Sequence, residues 1–168
     1  MSLTQVGPDL ISSVAGVTGL PTPGKILQVL YATNHAYITS TNLCAFDDSI
    51  MQITEGVEIL TKAITPAHAS NLLKIDFFST VGGTENYKTW GIFQDTTANA
   101  LATSYNYTHY SNDISISTII VAGTTNATTI RLRVANSSGF IAVNGYSSAS
   151  PIGGDIPHST LIVTEISA

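Results

Sequence analysis

From Leu72 to Val81 the chain alternates with a period of two, and this stretch constrains the fold more than any other. Leu73, Ile75, Phe77, Ser79 and Val81 fall on one mostly apolar face, while Lys74 and Asp76 share the opposite face with Leu72 and Phe78. Successive side chains of a strand project to opposite faces, so this pattern predicts a strand within a sheet. Large apolar groups on both faces place it centrally, with one face in the core and the other partly covered. Burial of Ile75 and Phe77 contributes roughly 1.5–3 kcal/mol each.

The rest of the chain offers partners of the same kind. Ile26–Tyr31, Tyr37–Thr41, Cys44–Ile53 and Val57–Ile64 read as strands before it. After it, Trp90–Gln94 and Ala98–Tyr105 form an expected hairpin around Asp95-Thr96-Thr97, and Asp113–Ala122 is rich in Ile and Ser. Thr128–Ala135 directs Ile130, Leu132 and Val134 inward and Arg131 and Arg133 outward, with Phe140–Val143 as its expected hairpin partner. Ser159–Ser167 closes the chain as a final strand beside the first. Eight to ten short strands between Gly-, Asn-, Ser- and Thr-bearing turns predict an all-β sandwich or jelly roll over residues 24–168. Residues 1–23 read as an N-terminal arm that carries Leu10, Ile11, Val14 and Val17 as attachment residues, punctuated by Gly16, Gly19, Pro21 and Pro23.

Composition narrows the function. The 168 residues are only 10% charged, against about 25% for ordinary soluble domains. Ser, Thr and Asn must wet the surface, and a mean hydropathy of +0.25 implies apolar surface hidden against other chains. Six Lys plus Arg at a net charge of −5 give no electrostatic footprint for nucleic acid. No run reaches the roughly 18 apolar residues of a membrane span, and no basic n-region marks a signal peptide, so membrane insertion is not expected. Cys44 is the only cysteine; it forms no intrachain disulfide and reads as a small buried apolar residue.

No catalytic, cofactor or metal constellation is expected. His35, His68, His109 and His158 are scattered, and the nucleophile, metal and phosphate-loop motifs are missing. Asp47-Asp48 with Glu55 or Glu58 could be drawn as a glycosidase pair or a calcium site, but a solvated turn explains them better. Aromatic rings among small polar groups suit binding: Trp90 and the cluster Tyr105, Tyr107, His109 and Tyr110 are candidate surface-binding residues, with packing beneath a loop as the plainer reading. The sequons at Asn106, Asn126 and Asn136 carry little meaning in so Thr-rich a chain.

Four segments in order carry a resemblance: Gly24-Lys-Ile-Leu-Gln-Val29, Ile64-Thr-Pro-Ala-His-Ala-Ser70 leading into Leu72-Leu-Lys-Ile75, Thr124–Val134, and Ser159-Thr-Leu-Ile-Val-Thr-Glu-Ile166. Together they resemble a group of small bacteriophage virion structural proteins with a GKVLQV-type start, an ITPxSxxSKILI-type middle and a STITxMEI-type finish. His68 and Asn71 stand where that group has Ser and Ser or Lys, and Ile162-Val163 vary the last segment. The resemblance implies a homotrimeric jelly-roll-like domain on the phage particle surface, of tail-fibre or head-decoration (cement) type. The implied partners are other virion proteins, of capsid or tail; a receptor-binding tip would use exposed aromatics such as Tyr105, Tyr107 and Tyr110 on a host surface glycan. It assigns no reaction. The alternative from another class is a carbohydrate-binding module or carbohydrate-active enzyme on the same β scaffold.

Overall fold

The computed structural model describes residues 23–108, 110–146, 150–151, 153–154 and 156–168. The attachment residues Leu10, Ile11, Val14 and Val17, and His109 of the tyrosine cluster, lie outside the described residues.

Among those residues there are twelve strands and no helix: β1 (Ile26–Asn34), β2 (Ile38–Ser40), β3 (Val57–Ile64), β4 (Leu72–Gly83), β5 (Asn86–Gln94), β6 (Ala102–Thr108), β7 (Asn112–Val121), β8 (Thr128–Asn136), β9 (Ile141–Val143), β10 (Gly145–Tyr146), β11 (Ser150–Pro151) and β12 (Ser159–Ile166). Eight of them have seven or more residues. These eight form two antiparallel sheets of spatial order β1-β12-β4-β7 and β3-β8-β5-β6, the strand arrangement of a jelly roll. The first and last strands are neighbours throughout, from Ile26 opposite Ile166 to Asn34 opposite Ser159.

β4 is central, as its pattern predicts: β12 runs along one side and β7 along the other. Leu73, Ile75, Phe77 and Val81 are fully buried, and Ser79 nearly so. They meet Ile130, Leu132 and Val134 of β8 and Trp90 and Ile92 of β5 across the sandwich, while Arg131 and Arg133 point outward.

One expected strand pairing and one expected strand are corrected. Phe140–Val143 does not fold back on β8; β9 crosses to the other sheet and pairs with β4 and β2. Beyond Phe78 the β12 side of β4 is vacant, and Val81–Gly83 there offers β9 a free edge. Gly83 holds a φ of 120° at this junction, and a Cβ would run into the Phe140 carbonyl. Cys44–Ile53 is not a strand of either sheet. It is a strap laid over the outer face of the β3-β8-β5-β6 sheet, held by Cys44 N donating to Asn136 O (3.1 Å), Ile53 N to Ala98 O (2.8 Å) and Ala100 N to Met51 O (3.0 Å). Two of its apolar residues are buried from outside: Cys44 and Met51 pack on Phe93 and Ala135.

Among the described residues, the charged side chains of Glu165 and Lys88 lie wholly inside. Glu165 of β12 accepts hydrogen bonds from Asn71 Nδ2 (2.6 Å), Gln28 Nε2 (2.5 Å) and the backbone N–H of Ala67 (2.8 Å). Burial pushes its carboxyl up, but these donors, with the His68 N–H, outweigh burial and hold it below the ordinary glutamate value. Lys88 of β5 faces inward, where Nζ donates to the carbonyls of Thr84 (2.5 Å), Thr108 (3.1 Å) and Asn86 (3.4 Å). Desolvation brings its ammonium down to about 8, against a weaker upward pull from Glu85.

Candidate binding site

The outer face of the β5–β6 hairpin is where the strap makes a site. Register sets Tyr87 opposite Tyr107, Thr89 opposite Tyr105 and Gly91 opposite Thr103, and these pairs project away from the core. At Gly91 a Cβ would press on the Met51 sulfur, so the missing side chain lets the strap lie close to the sheet. Phe46, carried by the strap, then stacks flat on Tyr87 with centroids 3.7 Å apart and meets Tyr105 edge-on at 5.1 Å. Tyr107 adds an edge contact to Tyr87 at 5.1 Å, and its hydroxyl donates to Glu85 (3.2 Å). Four rings thus form one shelf, on which Phe46, Tyr105 and Tyr107 remain about half exposed.

Beside the shelf a groove of about 330 Å³ runs between strap and sheet. Its wall is Phe46 to Ser49, and its floor carries the hydroxyls of Thr89, Thr103 and Tyr105. Asp47 Oδ1 accepts from the backbone N–H (2.8 Å) and hydroxyl (2.5 Å) of Ser49, which holds its carboxyl below the usual range. A larger concavity, about 630 Å³, lies over Thr39–Asn42 and Phe140 but brings no charged group and one ring.

The sequence candidates divide. Tyr105 and Tyr107 lie on the shelf. Tyr110, also exposed, leaves it and stacks on Tyr146 at 5.8 Å. Trp90 is corrected: it is not a surface residue. Lys88, Trp90 and Ile92 alternate inward along β5, the indole is 4% exposed, and Nε1 donates to Ser115 O of β7 (3.1 Å), tying the two sheets together. Sequence reading missed Phe46 and Tyr87. Tyr87 could be found from its spacing to Thr89 on an outward face, whereas nothing local marks Phe46.

The acidic residues also divide. Glu58 is paired with Arg131 (3.0 Å) and approached by Arg133 (3.9 Å), and Glu55 accepts from Gln52 N (2.7 Å). Among the described residues, no group of three or more His, Cys, Asp or Glu could hold a metal ion. Cys44 is buried, and burial together with Glu55 and Asp47 pushes its thiol up to about 11. His35 and His158, far apart in the chain, stack at 4.8 Å.

A second surface stands out on the opposite sheet. Register aligns Ile26, Ile166, Leu72 and Val121 in one row across the outer face of β1-β12-β4-β7. Ile26 and Val121 in that row, with Val29, Tyr31, Phe78 and Ile119 beyond it, are each more than half exposed. Apolar side chains grouped this way on an outer sheet face are the usual mark of an interaction surface.

No protein-family model and no curated protein sequence matches the chain. Among solved structures it is similar to the C-terminal domain of EclA, described as a sugar-binding protein, at 13% identity and a TM-score of 0.36, covering 86% of this chain and 88% of that one. It is similar to a structure of infectious bursal disease virus, Gx strain, at 13% identity and a TM-score of 0.42, covering all of this chain and 42% of that one. The enzymatically active domain of bacteriophage CBA120 tailspike protein 4 matches at 13% identity and a TM-score of 0.31, over 71% of this chain and 19% of that one. The chain therefore spans less than half the length of the two viral proteins. All three scores lie below the level at which function follows from likeness.

Proposed function

We propose that this chain is a structural protein of a bacteriophage particle, a homotrimeric surface appendage of tail-fibre or head-decoration type that acts by binding and not by catalysis. The observation that carries the reading is where three of its resemblance-bearing segments meet. Gln28 of the first and Ala67 and His68 of the second, with the adjoining Asn71, all engage the buried carboxylate of Glu165 in the last. Segments spread over the chain thus act as one structural device, which supports reading their order as the mark of a shared scaffold. The apolar outer face around Ile26, Val121 and Ile119 supports assembly with other copies or other virion proteins. The shelf of Phe46, Tyr87, Tyr105 and Tyr107 supports contact with a host surface glycan. Glu55 and Glu58 are engaged in structural bonds, which favours binding over hydrolysis.

Light scattering on the purified chain is expected to give a trimer mass, and antibody–gold labelling of intact particles is expected to decorate head or tail. A monomer that labels neither would overturn the proposal. The second reading, a carbohydrate-binding module outside any particle, is favoured specifically by the groove at Asp47 and Tyr105; sugar binding by an unlabelled monomer is the outcome that selects it.

A further inference from the structure

The groove beside the shelf has an uneven charge pattern, which bears on its proposed role in glycan binding and presupposes that role. Two carboxylates, Asp47 and Asp48, stand on its wall, and no Lys, Arg or His lines it among the described residues. Both are exposed. Ser49 occupies one oxygen of Asp47; the other oxygen, and the whole Asp48 carboxylate, accept nothing from the described residues. Three cations on the same sheet are turned to other duties. Arg133 donates to the Glu55 and Gly56 carbonyls (2.8 and 2.9 Å), Arg131 to Glu58 and the Asp95 carbonyl, and Lys88 points into the core.

We infer that the groove selects an uncharged hexopyranose and rejects anionic sugars such as sialic acid, uronates and sugar phosphates. An ionised carboxylate only accepts hydrogen bonds, so its partners must be donors, and neighbouring sugar hydroxyls supply them. The C–H face of a pyranose is apolar and fits the exposed ring of Tyr105, with Phe46 at its edge. Thr89 and Thr103 on the floor can donate or accept as the remaining hydroxyls require. A carboxylate or phosphate on the sugar would enter a site that already holds two negative charges and offers no counter-cation. That repulsion is worth about five-fold or more in affinity at low ionic strength and fades as salt is added.

Saturation-transfer NMR on the full chain tests this, with methyl glucoside, methyl galactoside, glucuronate and N-acetylneuraminate as probes at neutral pH. The neutral glycosides are expected to bind and the two acids to bind at least about five-fold more weakly, with the gap narrowing in high salt. Tyr105→Ala is expected to weaken the neutral sugars by up to about ten-fold. The double variant D47N/D48N, altered only at exposed positions, is expected to bring the acids level with the neutral sugars. Equal or tighter binding of the acids to the native chain would overturn the charge selection while leaving a sugar-binding shelf intact. A preference unchanged in D47N/D48N would likewise place the selection elsewhere. Failure of every probe to bind, or binding indifferent to Tyr105→Ala, would overturn the glycan role of the shelf itself; the virion assignment is judged separately by particle labelling.

Discussion

Asn71 and Glu165 meet inside the protein with Nδ2 and Oε1 2.6 Å apart, although 94 positions separate them in the chain. Asn71 is itself fixed on other sides. Its carbonyl accepts from Ala122 N (2.8 Å), and its Oδ1 accepts from Ala168 N (3.3 Å). One residue, through its backbone carbonyl and its side-chain amide, thus joins the start of β4 to the end of β7 and to Ala168. A buried carboxylate is costly unless its lone pairs are satisfied, and here donors from β1, the β3–β4 loop and Asn71 satisfy them.

Glu165→Gln turns an acceptor-only group into one that presents an NH₂ to existing donors. The variant is expected to lose about 1–3 kcal/mol in urea denaturation. The native side chain also sets an acid limit. Its folded carboxyl titrates below the unfolded value, so its contribution is full above the ordinary glutamate value and is lost as pH falls through the folded one. The stability difference between native chain and variant should therefore shrink as the solution is acidified; a difference that stays constant would exclude this linkage.

Lys88 gives a slope of the same sign in an alkaline window. Its folded ammonium titrates near 8 against an ordinary 10.5, so between those values the unfolded chain holds the proton and the folded chain does not. Stability from this site rises with pH across that window. Measured as unfolding midpoints, the native chain should gain on Lys88→Met from about pH 8 to about pH 10.5. Parallel pH profiles for the two proteins would show that Lys88 is not desolvated.

Trp90 is the only tryptophan, so fluorescence reports on it alone. A buried indole bonded to the Ser115 carbonyl predicts blue-shifted emission, weak quenching by iodide, and no change when a sugar is added. Red-shifted, readily quenched emission would return Trp90 to the surface.

Cys44 is 4% exposed and its thiol is raised to about 11, so little thiolate exists at neutral pH. Labelling with a disulfide reagent should be slow in buffer and fast in denaturant. Rapid labelling of the native chain would mean that the strap lifts from Phe93.

The apolar outer face of β1-β12-β4-β7 should carry the proposed assembly. Ile119→Lys together with Val121→Lys charges two residues more than half exposed, so the circular dichroism spectrum should be retained while the oligomer mass falls. An unchanged oligomer would move the interface elsewhere.

How far the residues alone could be read varies along the chain. The two-residue period of Leu73–Val81 and Ile130–Val134 exposed both the strands and their inward faces, because the pleat is local and any window reveals it. Tyr105 and Tyr107 could be singled out by residue type, as aromatic rings among small polar groups. Cys44–Ile53 misled, since the burial that its apolar residues demand was met by Phe93 on the outside of a sheet and not by strand pairing. Trp90 misled in reverse: its ring fits a binding surface by type, and only the parity of β5 against the core turns it inward.

The order of residues alone dictates an all-β fold, the apolar faces of its main strands, and the pairing of its first and last strands. Each follows from alternation and from the need to bury what alternates. Packing in three dimensions sends β9 across to β4, brings Phe46 onto Tyr87 by way of the strap, and lets Asn71 reach Glu165. Those are contacts between residues distant in sequence, chosen by which sheet edges and outer faces remain open once the core has closed, and no local pattern encodes that choice.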